Sequence, residues 1–183
     1  MFKKILLGAA AIVVVIVVVL VIAISLQPAE FNLTRTASMA APPAEVFEQV
    51  NDFHNWQAWS PWEKLDPAMQ RTFEGPVAGK GAVYSWVGNA DVGEGRMTIL
   101  ESRPNELIRI NLEFIKPFES TNATEFTFKP DGDEIMVAWT MSGQNNFMSK
   151  AFGMFMDVET MVGGDFERGL AAMKAKVENA PPE

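Results

Sequence analysis

The stretch DVETMVGGDFERGLAAMKAKVE, residues 157–178, decides the fold predicted for this chain. Its apolar residues recur at spacings of three and four, which is the period of one face of an α-helix. The members of this stripe are Val158, Met161, Val162, Phe166, Gly169, Leu170, Met173 and Val177. Charged residues occupy the opposite side. The pattern predicts one long amphipathic helix whose apolar face must be buried against another layer.

The sequence before this helix has a different period. Between Met69 and Ser142 apolar and polar residues alternate, which is typical of half-buried β-strands. Six strands are predicted there, at Arg71–Gly75, Gly81–Val87, Val92–Ser102, Glu106–Phe114, Thr121–Lys129 and Glu134–Ser142. A seventh is predicted at Phe31–Met39, and a short helix begins at Pro43. Short turns separate the six strands, which indicates an antiparallel meander.

Together these elements predict an α+β fold. An apolar sheet face needs a cover, and residues 157–178 are the only predicted element of sufficient length after residue 26. We therefore expect a curved antiparallel sheet of about seven strands that wraps around the C-terminal helix. Gly163 and Gly164 each cost that helix about 1 kcal/mol relative to alanine, which predicts a kink or a close approach to the sheet. Residues 145–155 are predicted to form a short helix or an ordered loop.

The N-terminal segment is not globular. Residues 5–26 read ILLGAAAIVVVIVVVLVIAISL and carry no charge. As a helix they would extend about 33 Å, enough to cross a hydrocarbon core of about 30 Å. The apolar part of a signal peptide is usually about 7–15 residues long. The length therefore favours an uncleaved anchor, although Ala23-Ile24-Ser25 matches a cleavage site.

Charge predicts the orientation of this segment. Lys3 and Lys4 precede it, and Glu30 is the first charged residue after it. The positive-inside rule predicts that residues 1–4 are cytoplasmic and that residues 5–26 form a single-pass anchor in the cytoplasmic membrane. A ligand-binding domain at residues 27–180 and a tail at residues 181–183 would then lie on the extracytoplasmic, periplasmic side.

Composition excludes several classes of function. The chain has 15 Lys and Arg residues against 23 Asp and Glu residues, for a net charge of −8, and two of the bases precede the anchor. Nucleic acid binds to surfaces with clustered Lys and Arg residues, so such an acidic domain is a poor partner for it. The chain has no cysteine and one histidine, which excludes disulfides, zinc fingers and thiol catalysis. We expect no metal site and no cofactor.

Four stretches, two of them within elements already described, occur in a distinctive order. They are APPAEVF at 41–47, FHNWQAWSPW at 53–62, VAWTM at 137–141 and GDFERGL at 164–170. In this order and spacing they resemble the START-like superfamily, also called SRPBCC or Bet v 1-like helix-grip proteins. Within it the chain is similar to the bacterial polyketide cyclase/dehydrase and lipid-transport group. The resemblance implies an apolar cavity for a lipid-like, sterol-like or polyaromatic molecule. It implies no particular reaction, because the superfamily shares no catalytic motif, so function must be argued from the site.

Candidate cavity residues follow from the predicted faces of strands and helix. Aromatic and methionine side chains on the apolar faces would line a space between sheet and helix, and Asp165 is the acid that flanks the stripe. The predicted lining residues are Tyr84, Trp86, Trp139, Met141, Met161, Asp165, Phe166 and Met173. Trp59 and Trp62 are predicted at the rim of the cavity, in an aromatic corner that follows the first short helix.

Three functions are compatible with these features. The first is a membrane-anchored, non-enzymatic binding domain for a small hydrophobic molecule. The second is a polyketide cyclase or dehydratase-like enzyme, for which His54, Asp165 and Tyr84 are the candidate acids and bases. A surface or capping role beside a helix end is the favoured interpretation of His54, so no catalytic residue is assigned. The third is a protein-interaction module of the cell envelope with an unknown partner.

Overall fold

The computed structural model describes residues 2–179 of the chain. Residue 1 of the predicted cytoplasmic segment and the predicted tail at residues 181–183 lie outside the described residues. The chain divides into two compact units. The smaller contains the residues up to Phe31 together with Gln144–Val158, and the larger contains Asn32–Gly143 together with the residues from Glu159 onward. The predicted division into an anchor at residues 5–26 and a domain at residues 27–180 stays a prediction.

A seven-stranded antiparallel sheet forms the larger unit. Its strands are β1 (Glu30–Met39), β2 (Gln70–Glu74), β3 (Val83–Val87), β4 (Glu94–Arg103), β5 (Leu107–Lys116), β6 (Ser120–Asp131) and β7 (Glu134–Gln144). Their order across the sheet is β1-β7-β6-β5-β4-β3-β2, so β2 to β7 form a meander and the first strand joins beside the last. Register shifts in β4 at Glu94/Gly95 and Ile99/Glu101 mark irregularities of the kind that bend a strand. The predicted α+β meander is confirmed.

Five α-helices complete the described chain: α1 (Phe2–Ser25), α2 (Pro43–Asn51), α3 (Trp56–Trp59), α4 (Phe147–Phe155) and α5 (Val158–Glu178). Short 3₁₀ turns at Phe53–Asn55 and Pro61–Lys64 flank α3. The long C-terminal helix is therefore confirmed, and residues 145–155 contain a helix. The predicted helix-grip order of strand, short helices, six strands and long helix is the observed one.

Two predicted strands begin two residues too early. Predicted starts at Gly81 and Val92 become Val83 and Glu94. Gly81 and Gly93 have φ angles of 91° and 64°, which are left-handed conformations that interrupt a strand. The amide side chain of Asn89 also accepts hydrogen bonds from the N–H groups of Asp91 and Val92, so the β3–β4 turn continues further than its sequence indicates.

The apolar face of the sheet is buried against α5. Paired positions on neighbouring strands share that face, as Phe126 and Trp139 do across β6 and β7. Phe166, Leu170 and Met173 of α5 are each at most 1% exposed and belong to the same core. Burial of such a side chain contributes roughly 1.5–3 kcal/mol, so this layer contact accounts for much of the driving force of folding.

Glycines permit two close approaches to α5. A Cβ on Gly169 would lie 2.9 Å from Cζ3 of Trp139, so glycine lets the helix come near the sheet at this position. A Cβ on Gly163 would lie 2.3 Å from Nη2 of Arg35 on β1. The Arg35 guanidinium crosses the helix there, and its Nε donates to Glu167 at 2.8 Å. The predicted close approach is therefore found at Gly163, and α5 continues through it as a helix.

The smaller unit contains α1 and α4. Residues Leu6–Ser25 of α1 have a mean hydropathy of 3.4, and 6% of the most apolar window is buried. It is the one helix among the described residues that is long and apolar enough to cross a membrane, and a signal sequence would meet the same criteria. Helix α4 is capped by Asn146, whose side chain accepts a hydrogen bond from the Ser149 N–H at 2.8 Å.

Candidate functional site

A cavity of about 170 Å³ lies within the larger unit, between the apolar sheet face and α5. Strands β3 to β7 form one side, and α5 with the segment after α2 forms the other. Five of the eight predicted lining residues contribute to its walls: Tyr84, Trp86, Trp139, Met141 and Phe166. Trp62, predicted at the rim, also lines it and is half-buried. These residues come from distant parts of the sequence, and the antiparallel register brings them together.

Four predicted residues lie outside the cavity lining: the other three predicted lining residues and Trp59, which was predicted at the rim. Met173 is 0% exposed and lies in the core under the sheet, whereas Met161, near the start of α5, is 48% exposed. Asp165 forms an ion pair with Arg168 one helical turn later. Trp59 is 1% exposed, and its indole Nε1 donates to the backbone carbonyl of Gln49 at 2.9 Å. Trp59 therefore lies in the core, not at a rim.

Strand β3 supplies the aromatic wall. Tyr84 and Trp86 are two residues apart on β3 and so point to the same side of the sheet. Their rings are 5.8 Å apart with 27° between planes, and Phe73 of β2 continues the stack at 5.2 Å from Tyr84. Gly95 is paired with Trp86 across β3 and β4, and a Cβ there would lie 2.4 Å from the indole. The absence of a side chain at Gly95 therefore makes room for the Trp86 ring.

A buried carboxylate organises the polar end of this wall. Tyr84 Oη donates to Glu63 Oε1 at 2.6 Å, and Arg71 Nε donates to Glu63 Oε2 at 2.7 Å. The Glu63 side chain is only 6% exposed, and Arg71 is its ion-pair partner. Burial, together with the hydrogen bond to Glu63, raises the pKa of Tyr84 above its ordinary value. Tyr84 is therefore a neutral phenol at physiological pH, and its hydroxyl donates to the Glu63 carboxylate.

Glu63 was missed by the sequence reasoning, and so was Arg71. Both are charged residues in segments whose apolar pattern drew attention to tryptophans and strands. One signal was available for Arg71, since it lies two residues before Phe73, and residues at that spacing in a strand point to the same side of the sheet. The observed register places Arg71 opposite Trp86. The segment Pro61–Lys64 closes over this end of the sheet and positions Glu63.

His54 lies outside the cavity lining. Its ring stacks on Phe73 with centroids 4.0 Å apart, and its Nδ1 is 2.6 Å from Oδ1 of Asp52. The same Asp52 oxygen accepts the backbone N–H of His54 at 2.9 Å and caps the 3₁₀ turn. The His54 side chain is 47% exposed. The exposure and the contact with the capping Asp52 fit the interpretation of His54 as a surface or capping residue, and the stack on Phe73 is an additional contact.

Two buried polar atoms in the cavity walls have no hydrogen-bond partner among the described residues. They are the indole Nε1 of Trp139 and the hydroxyl oxygen of Thr124, residues that are 2% and 3% exposed. The Trp139 ring lies flat against Phe166, with centroids 4.0 Å apart, and stacks on Phe126 at 4.9 Å. Buried polar groups are normally paired, so these two atoms are candidates for ligand contact.

Carboxylates are the only charged groups in the cavity lining of the described chain. Glu63 is buried, and Asp91 is exposed in the β3–β4 turn. No Lys or Arg lines the cavity. Residues 2–179 also contain no group of three His, Asp or Glu side chains placed to hold a metal ion. What this arrangement can do chemically is enclose an apolar molecule and offer it a few hydrogen bonds.

Comparison with known proteins places this fold in a family. Residues 30–178 match the family model for polyketide cyclase / dehydrase and lipid transport. A comparison with curated proteins finds no match. The matched range begins with β1 and ends with α5, so it includes every strand of the sheet and the helix that covers it.

Solved structures share the fold at low identity. The protein CV1439 from Chromobacterium violaceum has a TM-score of 0.58 at 18% identity, over 84% of this chain and 100% of that chain. The Aha1 dimer from Colwellia psychrerythraea has a TM-score of 0.58 at 12% identity, over 83% of this chain and 99% of that chain. The di-domain ARO/CYC StfQ from the steffimycin biosynthetic pathway has a TM-score of 0.60 at 9% identity, over 82% of this chain and 51% of that chain.

These identities support the fold alone. The family rests on the sequence model, which spans most of the chain, and the resemblance drawn from residues 41–47, 53–62, 137–141 and 164–170 is confirmed. The chain belongs to the polyketide cyclase/dehydrase and lipid transport family.

Proposed function

We propose that this chain is a membrane-anchored, non-enzymatic binding protein for a small hydrophobic molecule. The observation that carries the proposal is the cavity of about 170 Å³, whose walls are mostly aromatic, aliphatic and thioether side chains. Concave apolar sites with a few polar groups are typical of ligand pockets. Met141 adds an unbranched side chain that adapts to ligands of different shape.

The cavity volume favours a compact ligand. An apolar cavity of about 150 Å³ holds benzene, whereas pockets for drug-sized ligands measure about 300–1,000 Å³. At about 170 Å³ the cavity suits a molecule of roughly one or two aromatic rings. A sterol or an extended lipid would need the walls to move apart.

Catalysis is the weaker alternative because a cyclase or dehydratase needs a free acid or base beside its substrate. Of the three candidates, only Tyr84 lines the cavity, and its hydroxyl already donates to Glu63. His54 is engaged with Asp52, and Asp165 with Arg168. A protein-interaction role, with an unknown partner, stays a second alternative.

The binding proposal is tested by titrating the purified full-length chain with naphthalene in a calorimeter. Leu112 lines the cavity, so L112F should fill part of it and weaken naphthalene binding about tenfold or more. The matched control is L100F, because Leu100 is 54% exposed and lies outside the cavity lining. Equal binding by L112F and the wild type, or no saturable binding by the wild type, would contradict the proposal.

Membrane anchoring is supported by α1, which is long and apolar enough to span a bilayer. We propose that α1 is retained, with Lys3 and Lys4 in the cytoplasm and the larger unit on the extracytoplasmic side. Alkaline extraction of membranes should leave the protein in the pellet at its full mass of 20.2 kDa. Protease added outside spheroplasts should degrade the larger unit. A soluble product that lacks the apolar segment would identify it as a cleaved signal.

A further inference from the structure

Trp139 differs from the other buried tryptophans of the core in its hydrogen bonding. The indole N–H groups of Trp56, Trp59 and Trp86 donate to the backbone carbonyls of Val50, Gln49 and Val92. The Trp139 N–H has no partner among the described residues. Folded proteins rarely leave a buried donor unpaired, so an unpaired indole in a cavity wall points to a ligand.

Thr124 lies next to Trp139 on the same sheet face. Phe126 pairs with Trp139, and Thr124 pairs with Met141, so Thr124 and Trp139 are diagonal neighbours across β6 and β7. The Thr124 hydroxyl is also buried without a partner. Both residues line the cavity, so two neighbouring positions of its β6–β7 wall each carry an unpaired polar atom.

The contacts of the Trp139 ring place its benzene edge in the core. Its Cζ3 atom lies beside Gly169, which does not line the cavity, although Trp139 itself does.

The charges of the lining select against anions. Glu63 and Asp91 are the charged lining residues, and no Lys or Arg among the described residues lines the cavity. An anionic ligand would lose its hydration and find no Lys or Arg in the lining to pair with, since Arg71 is already paired with Glu63. A neutral ligand pays neither cost.

We propose that Trp139 Nε1 and Thr124 Oγ1 form a polar subsite that selects a neutral aromatic molecule with an acceptor oxygen, such as a ketone. This inference rests on the proposed binding function and specifies its ligand class. The indole donates to the ligand oxygen and the threonine hydroxyl adds a second donor. The apolar part of the ligand then occupies the space toward Leu112 and Trp86.

The test uses three probes of the same size and shape, namely acetophenone, cumene and benzoate, with the full-length chain in phosphatidylcholine nanodiscs. In the ¹⁵N-labelled protein, acetophenone should move the Trp139 indole N–H signal downfield, and W139F identifies that signal by its loss. T124V, which keeps the side-chain shape, should lower the affinity for acetophenone relative to cumene about fivefold. T121V is the control, because Thr121 is exposed on the same strand. Benzoate should not bind at concentrations that saturate acetophenone.

The outcomes separate this inference from the proposed function. If T124V leaves the ratio of acetophenone to cumene affinity unchanged and the Trp139 signal does not move, the subsite is overturned while binding stands. If benzoate binds as well as acetophenone, the selection against anions is overturned. If none of the three probes binds, both the subsite and the proposed binding function fall.

A second inference concerns α4, in the smaller unit. This helix exposes a stripe of large apolar side chains on one face: Phe147 is 52% exposed, Met148 54%, Phe152 49% and Phe155 76%. Its single charged residue is Lys150, and it has no acidic residue. On a water-exposed surface a patch of this kind would promote aggregation. Such patches are typical of interaction sites.

The position of α4 in the smaller unit indicates what its apolar stripe contacts. Lys150 Nζ donates to the backbone carbonyl of Ser25, the last residue of α1, at 3.4 Å. Asn145, just before α4, donates its backbone N–H to Ala29 at 2.7 Å and its side-chain amide to Pro28 at 3.2 Å. If α1 crosses the bilayer, its carboxyl end lies at the lipid–water boundary, and α4 is fastened there.

We infer that α4 is an interfacial helix whose apolar stripe inserts into the lipid surface at the end of the α1 span. This inference rests on the proposal that α1 is a retained anchor. An interfacial helix buries its apolar face in the headgroup region while its backbone lies along the membrane plane. Lys150, beside the α1 terminus, is compatible with this depth because lysine reaches toward the polar boundary.

Because the chain has no cysteine, single-cysteine labels report one position each. A bimane label at F152C, in the full-length chain in phosphatidylcholine vesicles, should be quenched by bromolipids and shielded from iodide. The control label at A123C, on an exposed position of β6, should be quenched by iodide and insensitive to bromolipids. Iodide quenching at position 152 equal to that at 123 would overturn the inference. Shielding from both quenchers, with cross-linking between F152C chains, would assign the stripe to a second copy instead.

Discussion

Trp139 of β7 and Phe166 of α5 lie face to face, with ring centroids 4.0 Å apart and 5° between their planes. This stack joins the sheet to its covering helix and at the same time forms one wall of the cavity. The same two rings therefore contribute to stability and to the shape of the site.

Replacement of Phe166 by alanine should destabilise the larger unit by about 3–5 kcal/mol, because the ring is fully buried between Trp139 and Trp62. Urea unfolding followed by tryptophan fluorescence would measure the loss. The matched control is F118A, since Phe118 is 62% exposed and should change stability by less than about 0.5 kcal/mol. A similar loss in both variants would contradict the role assigned to the stack.

Substitution of Gly169 by alanine should destabilise the protein by about 1–3 kcal/mol, because the new methyl group would lie 2.9 Å from Trp139 Cζ3. Gly153, in α4, provides the comparison: a Cβ there has no atom within 4 Å. G153A should instead stabilise the helix by about 0.5–1 kcal/mol. Thermal unfolding of both variants tests the difference in sign.

Tyr84 should titrate above the ordinary tyrosine pKa of about 10 in the folded protein. The chain has a single tyrosine, so absorbance at the phenolate band reports this residue alone. E63Q should lower the Tyr84 pKa, because the hydrogen bond to the Glu63 carboxylate favours the neutral phenol. An unchanged pKa in E63Q would assign the shift to burial alone.

The raised Tyr84 pKa also predicts a pH dependence of stability. Its folded-state pKa exceeds the unfolded value of about 10, so its contribution is complete below pH 10 and is lost as the pH rises toward the folded-state pKa. Wild-type protein should therefore lose stability more steeply than Y84F in strongly alkaline solution. If the free energy of unfolding falls with pH at the same slope in both proteins, Tyr84 is not the cause of the loss.

His54 should be dispensable for ligand binding, because it lies outside the cavity lining and stacks on Phe73. H54N should lower stability by about 1 kcal/mol or less and leave the affinity for naphthalene unchanged. The comparison is W86F, which removes part of a cavity wall and should weaken binding. A change in affinity in H54N alone would restore His54 as a functional residue.

The fold was predictable from periodicity because a strand repeats every two residues and a helix every 3.6. The alternation in Ile108, Ile110 and Leu112 predicts one face of β5, and those residues lie on that face in the sheet. Tyr84, Trp86, Trp139 and Met141 could be assigned to the cavity for the same reason.

Periodicity does not predict which residues of a packed layer face an empty space. Met161 and Met173 belong to one helical stripe, yet the first is 48% exposed and the second is 0% exposed, because the helix stripe is longer than the part of it that meets the core. Trp59 and Trp62, three residues apart, differ because α3 ends at Trp59 and a 3₁₀ turn follows. The Glu63–Tyr84 hydrogen bond joins residues 21 apart in sequence, so it depends on the tertiary fold.

Strand β1 is an edge strand of the sheet. Side chains near the end of α5 form hydrogen bonds with backbone groups at the end of this strand. Lys174 Nζ donates to the Ser38 carbonyl at 2.7 Å, and Glu178 Oε1 accepts the Ala40 N–H at 2.8 Å. An open strand edge invites pairing with a strand of another molecule. The helix side chains take up the hydrogen-bonding groups that an incoming strand would need at this end. The C-terminal helix thus also opposes edge-to-edge assembly at this end of the sheet.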